Sequence, residues 1–451
     1  MENAKTIRDL INVTQLTDND YLPVNQSVFN PLTGNNGDTR KATIKQISDY
    51  MVATGLNEAI GSLEEVETLS DNNVLPIKQQ NITRKATVKQ ITDHVITRTY
   101  TEVMFQAIPF LTALSRQQLQ IRDGTIFKIT VSGADRFFKA NGNVILDIST
   151  ILDTGIIANG KDYYLFIVPD NDTVKILLSL TKTAPTGYST ASVKLIGGFH
   201  TLCANAGNGM VYTMGDQSLS HPLNGYLAGD ILPASVWCLN HRPYCEPEGM
   251  VYISSLDFWC DIYLQSGSGV NTKSIYQATP TRSRQYVDHV EDMICVKKEL
   301  LDDAEFAAAM MGSNEQTNIG GSAFPGNGAG GHIDTAGRRM ISIYGVEEGC
   351  GLLWQWLRTT SAAGVDGSIY GQTATTPTYG WISMTQSSYG PYGQAGGKGS
   401  FWGLAAVVLA GCGWSDSASC GSRSRHAANM RSRTHARFGG RGRSRNIHTF
   451  Q

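Results

Sequence analysis

The sequence predicts an α+β protein built as three unlike stretches. A repeat occupies the first hundred residues, β-rich runs cut by turn residues fill 101–204, and from 205 onward tryptophan, tyrosine and glycine recur at irregular spacing with few helical patterns. At 451 residues the chain has room for several domains. A hydrophobic content of 41% with 17% charged residues excludes wholesale disorder.

The repeat comes first. "LPV" at Leu22–Val24 precedes "TRKATIKQISDYM", and "LPI" at Leu75–Ile77 precedes "TRKATVKQITDHV". In each copy a threonine, Thr43 or Thr87, is placed to cap a short helix whose apolar positions, Ile44 and Ile47 or Val88 and Ile91, share one face. A helical or extended connector, "LNEAIGSLEEVETLS", joins them. Such small units bury little alone, so residues 1–100 are expected to act as an attachment or assembly module.

Residues 101–204 read as a small antiparallel sandwich serving as a spacer, with "PDND" at Pro169–Asp172 as a hairpin connection. In 205–451 one strong helix is expected in "CVKKELLDDAEFAAAMMGS". It would place Leu300, Leu301, Ala304, Ala308 and Met311 on one side and stop at Gly312. A second, shorter helix is expected around Trp354 and Trp356 in "GCGLLWQWLRT".

Near the C-terminus, "CGSRSRHAANMRSRTHARFGGRGRSR" (Cys420–Arg445) carries eight arginines and no acidic residue on a chain of net charge −2. A solvated tail would fit the charge alone. Against it, Trp414, Phe438 and paired glycines punctuate the run, and the core-like "FWGLAAVVLAGCGW" enters it directly. Nucleic-acid binding would call for lysine and a wider basic surface. The expectation is a folded face, in which arginine stems are partly buried and their heads bond backbone carbonyls.

No apolar run approaches the ~20 residues of a membrane span. The N-terminus lacks the apolar core of a signal peptide, so export by that route is not expected. Eight scattered cysteines form no CxxC pair, so no zinc site is indicated, and they read as buried free thiols.

Four strings occur in a telling order: "GDILPASVWCLNHRPYCEPEGMVY", "GGHIDTAGRRMIS", "GLLWQWLR" and "GWSDSASCGSRSRHAANMRSRTHARFGGRG". Together they resemble the variable proteins of diversity-generating retroelements carried by phages and prophages. The resemblance covers roughly 205–451 and implies a C-type lectin-like domain of the formylglycine-generating-enzyme subtype. Within it, "LLWQW" is similar to that subtype's Gly-Asn-Val-Trp-Glu-Trp signature. The N-terminal repeats and β-rich block resemble tail-fibre modules.

The resemblance implies a phage tail-fibre receptor-binding protein, a homotrimer on the virion tail assembled in the bacterial host cytoplasm. It would bind a host cell-surface receptor, protein or glycan, through a variable region of about 412–441, and virion tail components through its N-terminal repeats. Carried over by position, the varied ligand-binding residues are Ser415, Asp416, Ser419, His426, Ala428, Asn429, Met430, Arg433, His435 and Arg437. The scaffold residues are Trp354, Trp356, Trp414, Cys420, Gly421, Arg423, Arg425, Arg431, Gly439, Gly440 and Arg441. The alternative carrier is a prophage- or cell-encoded surface adhesin with the same domain.

An oxidase relative is the third reading. That enzyme type resembles this segment but has two cysteines five positions apart; the second matches Cys420, and the position five before it is Ser415. Cys420 therefore reads as a packed framework thiol. The pair His332/Asp334 reads as a loop brace, "GNGAGG" at Gly326–Gly331 lacks the Lys-Ser/Thr of a phosphate loop, and Asp230 has too few carboxylates nearby for calcium. No enzymatic activity, cofactor, metal, nucleic acid or membrane insertion is expected.

Overall fold

A computed structural model describes residues 108–171, 173–214, 217–326, 328–362 and 405–447, with short strands outside these spans. The chain divides into two compact units, Met1–Met104 and Phe105–Gln451.

In the first unit the repeat is legible in backbone register. Strand Tyr21–Asn25 pairs antiparallel with Thr39–Thr43, setting Leu22 opposite Ala42 and Val24 opposite Arg40. Strand Val74–Gln79 pairs with Ile82–Thr87 in the same way, Leu75 opposite Ala86 and Ile77 opposite Arg84. Thr43 and Thr87 are the last residues of their strands. The helices expected after them, and the connector between the copies, lie outside the described residues.

The second unit begins with antiparallel strands in small sheets. Strand Ile126–Val131 pairs with Ala134–Lys139, and Gln118–Ile121 pairs with Leu111–Ala113 and Val144–Asp147. The expected hairpin forms between Asp162–Asp170 and Thr173–Ser179. Pro169 belongs to its strand, opposite Val174, and Asn171 makes the turn with a φ of 52°. The run Tyr163 to Val168 is buried on both faces, which is why it is continuously apolar instead of alternating.

Strand Lys194–His200 then pairs with Asp162–Asp170, and Trp237–Cys238 joins its far edge. Glycine is required there: a Cβ on Gly198 would sit 2.4 Å from the Tyr163 carbonyl, and one on Gly197 2.5 Å from that of Trp237. Tyr164, Phe166 and Val168 pack against Trp237, Met250 and Trp259, so one core runs from this block into the next.

Two larger sheets organise the described residues of the C-terminal region, beside the two-stranded pairs Val211–Met214 with Gln217–Ser220 and Trp381–Ser383 with Ser400–Trp402. In the first, the order is Gly421–Met430, Ala405–Gly411, Trp354–Ala362, then Phe438–Gly439, the last pairing parallel to its neighbour. In the second, Gly442–Ile447 lies between Arg242–Pro243 and Phe258–Asp261, which pairs with Met250–Ile253.

Two helix expectations are corrected. The segment around Trp354 and Trp356 is the central strand Trp354–Ala362, because Trp356 faces Leu409 in an antiparallel ladder and packs in the core beside Val407 and Phe438. The long helix after Cys295 shrinks to Asp303–Ala309. Its start is set by a reciprocal box: Glu305 N–H donates to Asp302 at 2.8 Å, and Asp302 N–H to Glu305 at 2.9 Å. Upstream, Glu299–Leu300 is a strand against Gly442 and Arg443. Within the helix Glu305, Phe306 and Ala309 are buried, with Met310 just after it; of the expected stripe Leu300 and Leu301 are buried, while Ala304 is exposed and Ala308 only partly buried.

A helix the pattern did not announce, Tyr286–Cys295, packs Tyr286, Val290 and Met293 on the Trp356 core. Seven of the cysteines are buried; Cys295 at this helix's end is exposed, against expectation.

Candidate binding surface

The arginine stretch is folded. Arg441 is fully buried, and its guanidinium donates to the carbonyls of Asp261 (2.9 Å), Ile262 (2.7 Å) and Glu347 (2.7 Å) and to the Gln355 side chain (2.9 Å). These acceptors come from three separate chain segments, so one planar fork fastens them together. Burial pulls its pKa down, and the charges of Cys260, Asp261 and Glu348 oppose that.

The other arginines divide between ion pairs and rings. Arg425 pairs with Asp303, donates to the carbonyls of Ser422 and Ser424, and lies 5.1 Å from the centre of the Phe306 ring. Arg443 pairs with Glu305. Arg431, Arg433 and Arg445 sit over Tyr286, Phe438 and Tyr244. Arg423 is exposed.

Around this frame the positions expected to vary fall on the 413–419 loop, the edge strand Gly421–Met430 and the segment 431–437. Asp416 is central. Its carboxylate accepts the indole N–H of Trp354 at 2.7 Å, the Gly413 N–H at 2.8 Å and the Arg437 guanidinium at 2.9 Å. His426 stands edge-on to Trp354 with centroids 5.6 Å apart, and His435 tilts against Phe438 at 5.2 Å. Burial depresses the pKa of both histidines, and nearby Arg433, with Arg437 for His435, adds to it; both rings are neutral at neutral pH.

Ser415 and Ser419 are exposed. Asn429 departs from an exposed surface: it is buried at 1%, facing Val407, and its side-chain amide has no hydrogen-bond partner among the described residues. The side chains of Ala428 and Met430 lie outside the described residues.

Trp414 flanks this area, edge-on to Phe324 at 5.6 Å. Arg282 covers Phe324 at 3.9 Å and approaches Trp414 at 5.8 Å, while Arg437 approaches Trp414 at 5.7 Å. Sequence reasoning missed Arg282 and Phe324, which are remote in sequence and carry no motif. It also missed Glu315, which accepts Ser422 N–H at 3.1 Å and Oγ–H at 2.6 Å and so ties down the start of the edge strand.

The enzyme-like motifs have structural partners. Asp334 takes the N–H groups of Ala336 and Arg338, the Thr317 hydroxyl and the Arg338 guanidinium, and His332 pairs instead with Glu348. The glycine-rich loop turns its amides on buried carboxylates: Gly330 N–H donates to Glu348 at 2.7 Å and Gly331 N–H to Glu347 at 3.2 Å. Asp230 is buried and accepts Leu227 N–H at 2.8 Å. Among the described residues no group of three or more His, Cys, Asp or Glu is arranged to hold a metal ion.

The molecule is β-dominated with few helices, and buried and paired arginines brace its C-terminal part. Residues 109–238 match the family described as the Mtd second domain. The chain is 26% identical over 336 residues to the tail fiber receptor-binding protein of Bordetella phage BPP-1, covering 68% of this chain and 77% of that protein. Among solved structures it is similar to the Major Tropism Determinant M1 variant (TM-score 0.59, 22% identity, 77% of this chain and 86% of that one). It is similar also to the U1 variant (TM-score 0.59, 21% identity, 84% and 94%). At these identities the structural likeness establishes the fold.

Proposed function

We propose that this chain is a phage tail-fibre receptor-binding protein whose C-terminal domain displays retroelement-diversified residues to a host-surface ligand. The similarity to a tail fiber receptor-binding protein over two thirds of the chain supports the carrier. The observation that carries the display reading is a division of labour. Arg441 and Arg443 bond partners outside the loop and edge strand, and Arg425 ties the Ser422 and Ser424 carbonyls of that strand to Asp303, so they hold the backbone whatever occupies Ser415, Ser419, His426 or His435. Those side chains are mixed in size and polarity, which suits contact with a partner in which a few anchors supply most of the affinity.

The N-terminal repeats attach the protein to the virion tail, and a homotrimeric display raises weak single-site binding by avidity. The protein is not an enzyme on this reading; its mechanism is recognition on a fixed frame.

Deep sequencing of the 3′ end of the gene from one clonal lineage tests this. Substitutions confined to the ten positions expected to vary, sparing Trp414, Cys420 and Arg423, are expected; a uniform sequence overturns the diversification. Replacing His426, Met430 and His435 with Ala is expected to change ligand choice with the fold intact. Collapse of the fold would refute a frame independent of the displayed residues.

A further inference from the structure

The displayed loop has a thiol at each end. Sequence reasoning took Cys420 alone, yet "GCGWSDSASCG" is symmetric about the loop, Gly-Cys before it and Cys-Gly after. Gly411 faces Gly421 across the antiparallel ladder, so Cys412 and Cys420 are the next residues outward on each side. Facing residues in such a ladder have Cα atoms about 4.5–5.5 Å apart, so the two strands are close together where they give way to these cysteines, and a disulfide spans roughly 4.4–6.8 Å between Cα atoms.

The side chains converge. Cys412 Sγ lies 3.0 Å from the Ser419 carbonyl and Cys420 Sγ 3.8 Å from that of Gly413, each thiol reaching the chain next to the other. We propose that Cys412 and Cys420 are a disulfide-forming pair that closes the base of the 413–419 loop when the protein meets a disulfide oxidant.

The neighbouring Cys420 thiol draws Cys412 below the ordinary thiol range, while Cys412 and burial push Cys420 above it, which favours Cys412 as the attacking sulfur. The Cys412 thiolate attacks one sulfur of a small-molecule disulfide and expels a thiolate, forming a mixed disulfide. Cys420 then loses its proton to solvent and attacks Cys412 Sγ, expelling the second thiolate. Two protein thiols are oxidised, and one external disulfide is reduced to two thiols. Both cysteines are buried beneath the exposed residues Ser417 to Ser419, so the oxidant enters when the loop lifts, and closure is slow.

The closed form pins both loop ends whatever residues stand at 415, 416 and 419. That consequence rests on the display reading; the bond itself does not, so its failure and a failure to find variation are separate results.

Trypsin makes the test direct, because Gly399–Arg423 contains both cysteines and no internal Lys or Arg. The folded full-length protein is incubated with excess oxidised glutathione, acid-quenched, unfolded, alkylated and digested. The expected Gly399–Arg423 peptide lacks two hydrogens and takes no alkyl group until reduced. In Cys350→Ser the same bond is expected, and in Cys412→Ser the peptide takes an alkyl group or glutathione at Cys420. The proposal is overturned if that peptide takes two alkyl groups while exposed Cys295 has been glutathionylated. It is equally overturned if Cys412 or Cys420 is found linked to Cys350, the buried thiol whose Cα lies 3.6 Å from where a Cβ on Gly411 would stand.

Discussion

The indole N–H of Trp354 donates to the carboxylate of Asp416 across 2.7 Å, joining the central strand of the C-terminal sheet to the loop beside it. The same carboxylate holds Gly413 and Arg437, so it closes the loop as well as facing outward. Asp416 is thus a displayed position that also has structural partners.

Replacing Asp416 with Ala leaves a half-buried indole N–H and a backbone amide unpaired. The expected loss is about 1–3 kcal/mol by urea denaturation, while Asp416→Asn retains an acceptor and loses less. A loss as large in Ser415→Ala, which is exposed, would show that the loop as a whole and not this carboxylate is being sensed.

Arg441 has no such latitude. Every donor of its fork that bonds does so in a fully buried site, to carbonyls of Asp261, Ile262 and Glu347 and to Gln355. Arg441→Met strands those acceptors and is expected to cost about 3 kcal/mol or more. Arg441→Lys keeps the charge but not the fork and is expected to recover only part of this in the same measurement.

What the sequence disclosed follows from which interactions are local. The 170–173 hairpin and the repeat of the first hundred residues are encoded within a few residues and were legible; the Leu-Pro strands of the repeat and the Asp302/Glu305 cap are as local but were not read, the cap lying inside the longer helix expected from Cys295. The strand at Trp354 was mistaken for a helix because "LLWQWL" is apolar all along, and only its partners Ala405–Gly411 and Phe438–Gly439 decide between the two. The folded state of the arginine stretch was legible from the aromatics and glycines within it. The identities of its partners, Asp303, Glu305 and the Asp261 carbonyl, were not, since they lie more than a hundred residues away. Asn429 was placed by positional likeness, which carries no information about which face of the edge strand it occupies.

Gly421 faces Gly411 at the end of the edge strand, and a Cβ there would lie 2.1 Å from Glu315 Oε2. Gly421→Ala therefore drives Glu315 off the Ser422 N–H and hydroxyl, at an expected cost of about 1–2 kcal/mol. Glu315→Ala removes both the clash and the bonds. In the double variant the Gly421→Ala penalty is expected to shrink, giving a coupling energy of at least about 0.5 kcal/mol. Additive losses would mean the alanine acts through the strand backbone instead.

His289 supplies a pH dependence. It is fully buried, with Nδ1 against Gln265 Oε1 at 2.6 Å, and burial, then the charge of Arg284, lowers its pKa to about 3. The unfolded chain takes up a proton near pH 6.5 that the folded chain refuses, so stability is full above 6.5 and declines as pH falls toward 3. At pH 5 the penalty from this one group is about 2 kcal/mol. His221, His426 and His435 are also depressed and add to the slope, while His332, raised by its bond to Glu348 against the opposing effect of burial, acts the other way. The His289→Gln variant isolates the buried ring from these. Its urea stability is expected to start lower at pH 7.5 and to fall less between pH 6.5 and pH 5 than that of the unaltered protein. Parallel curves for the two would mean that His289 takes up its proton within the fold.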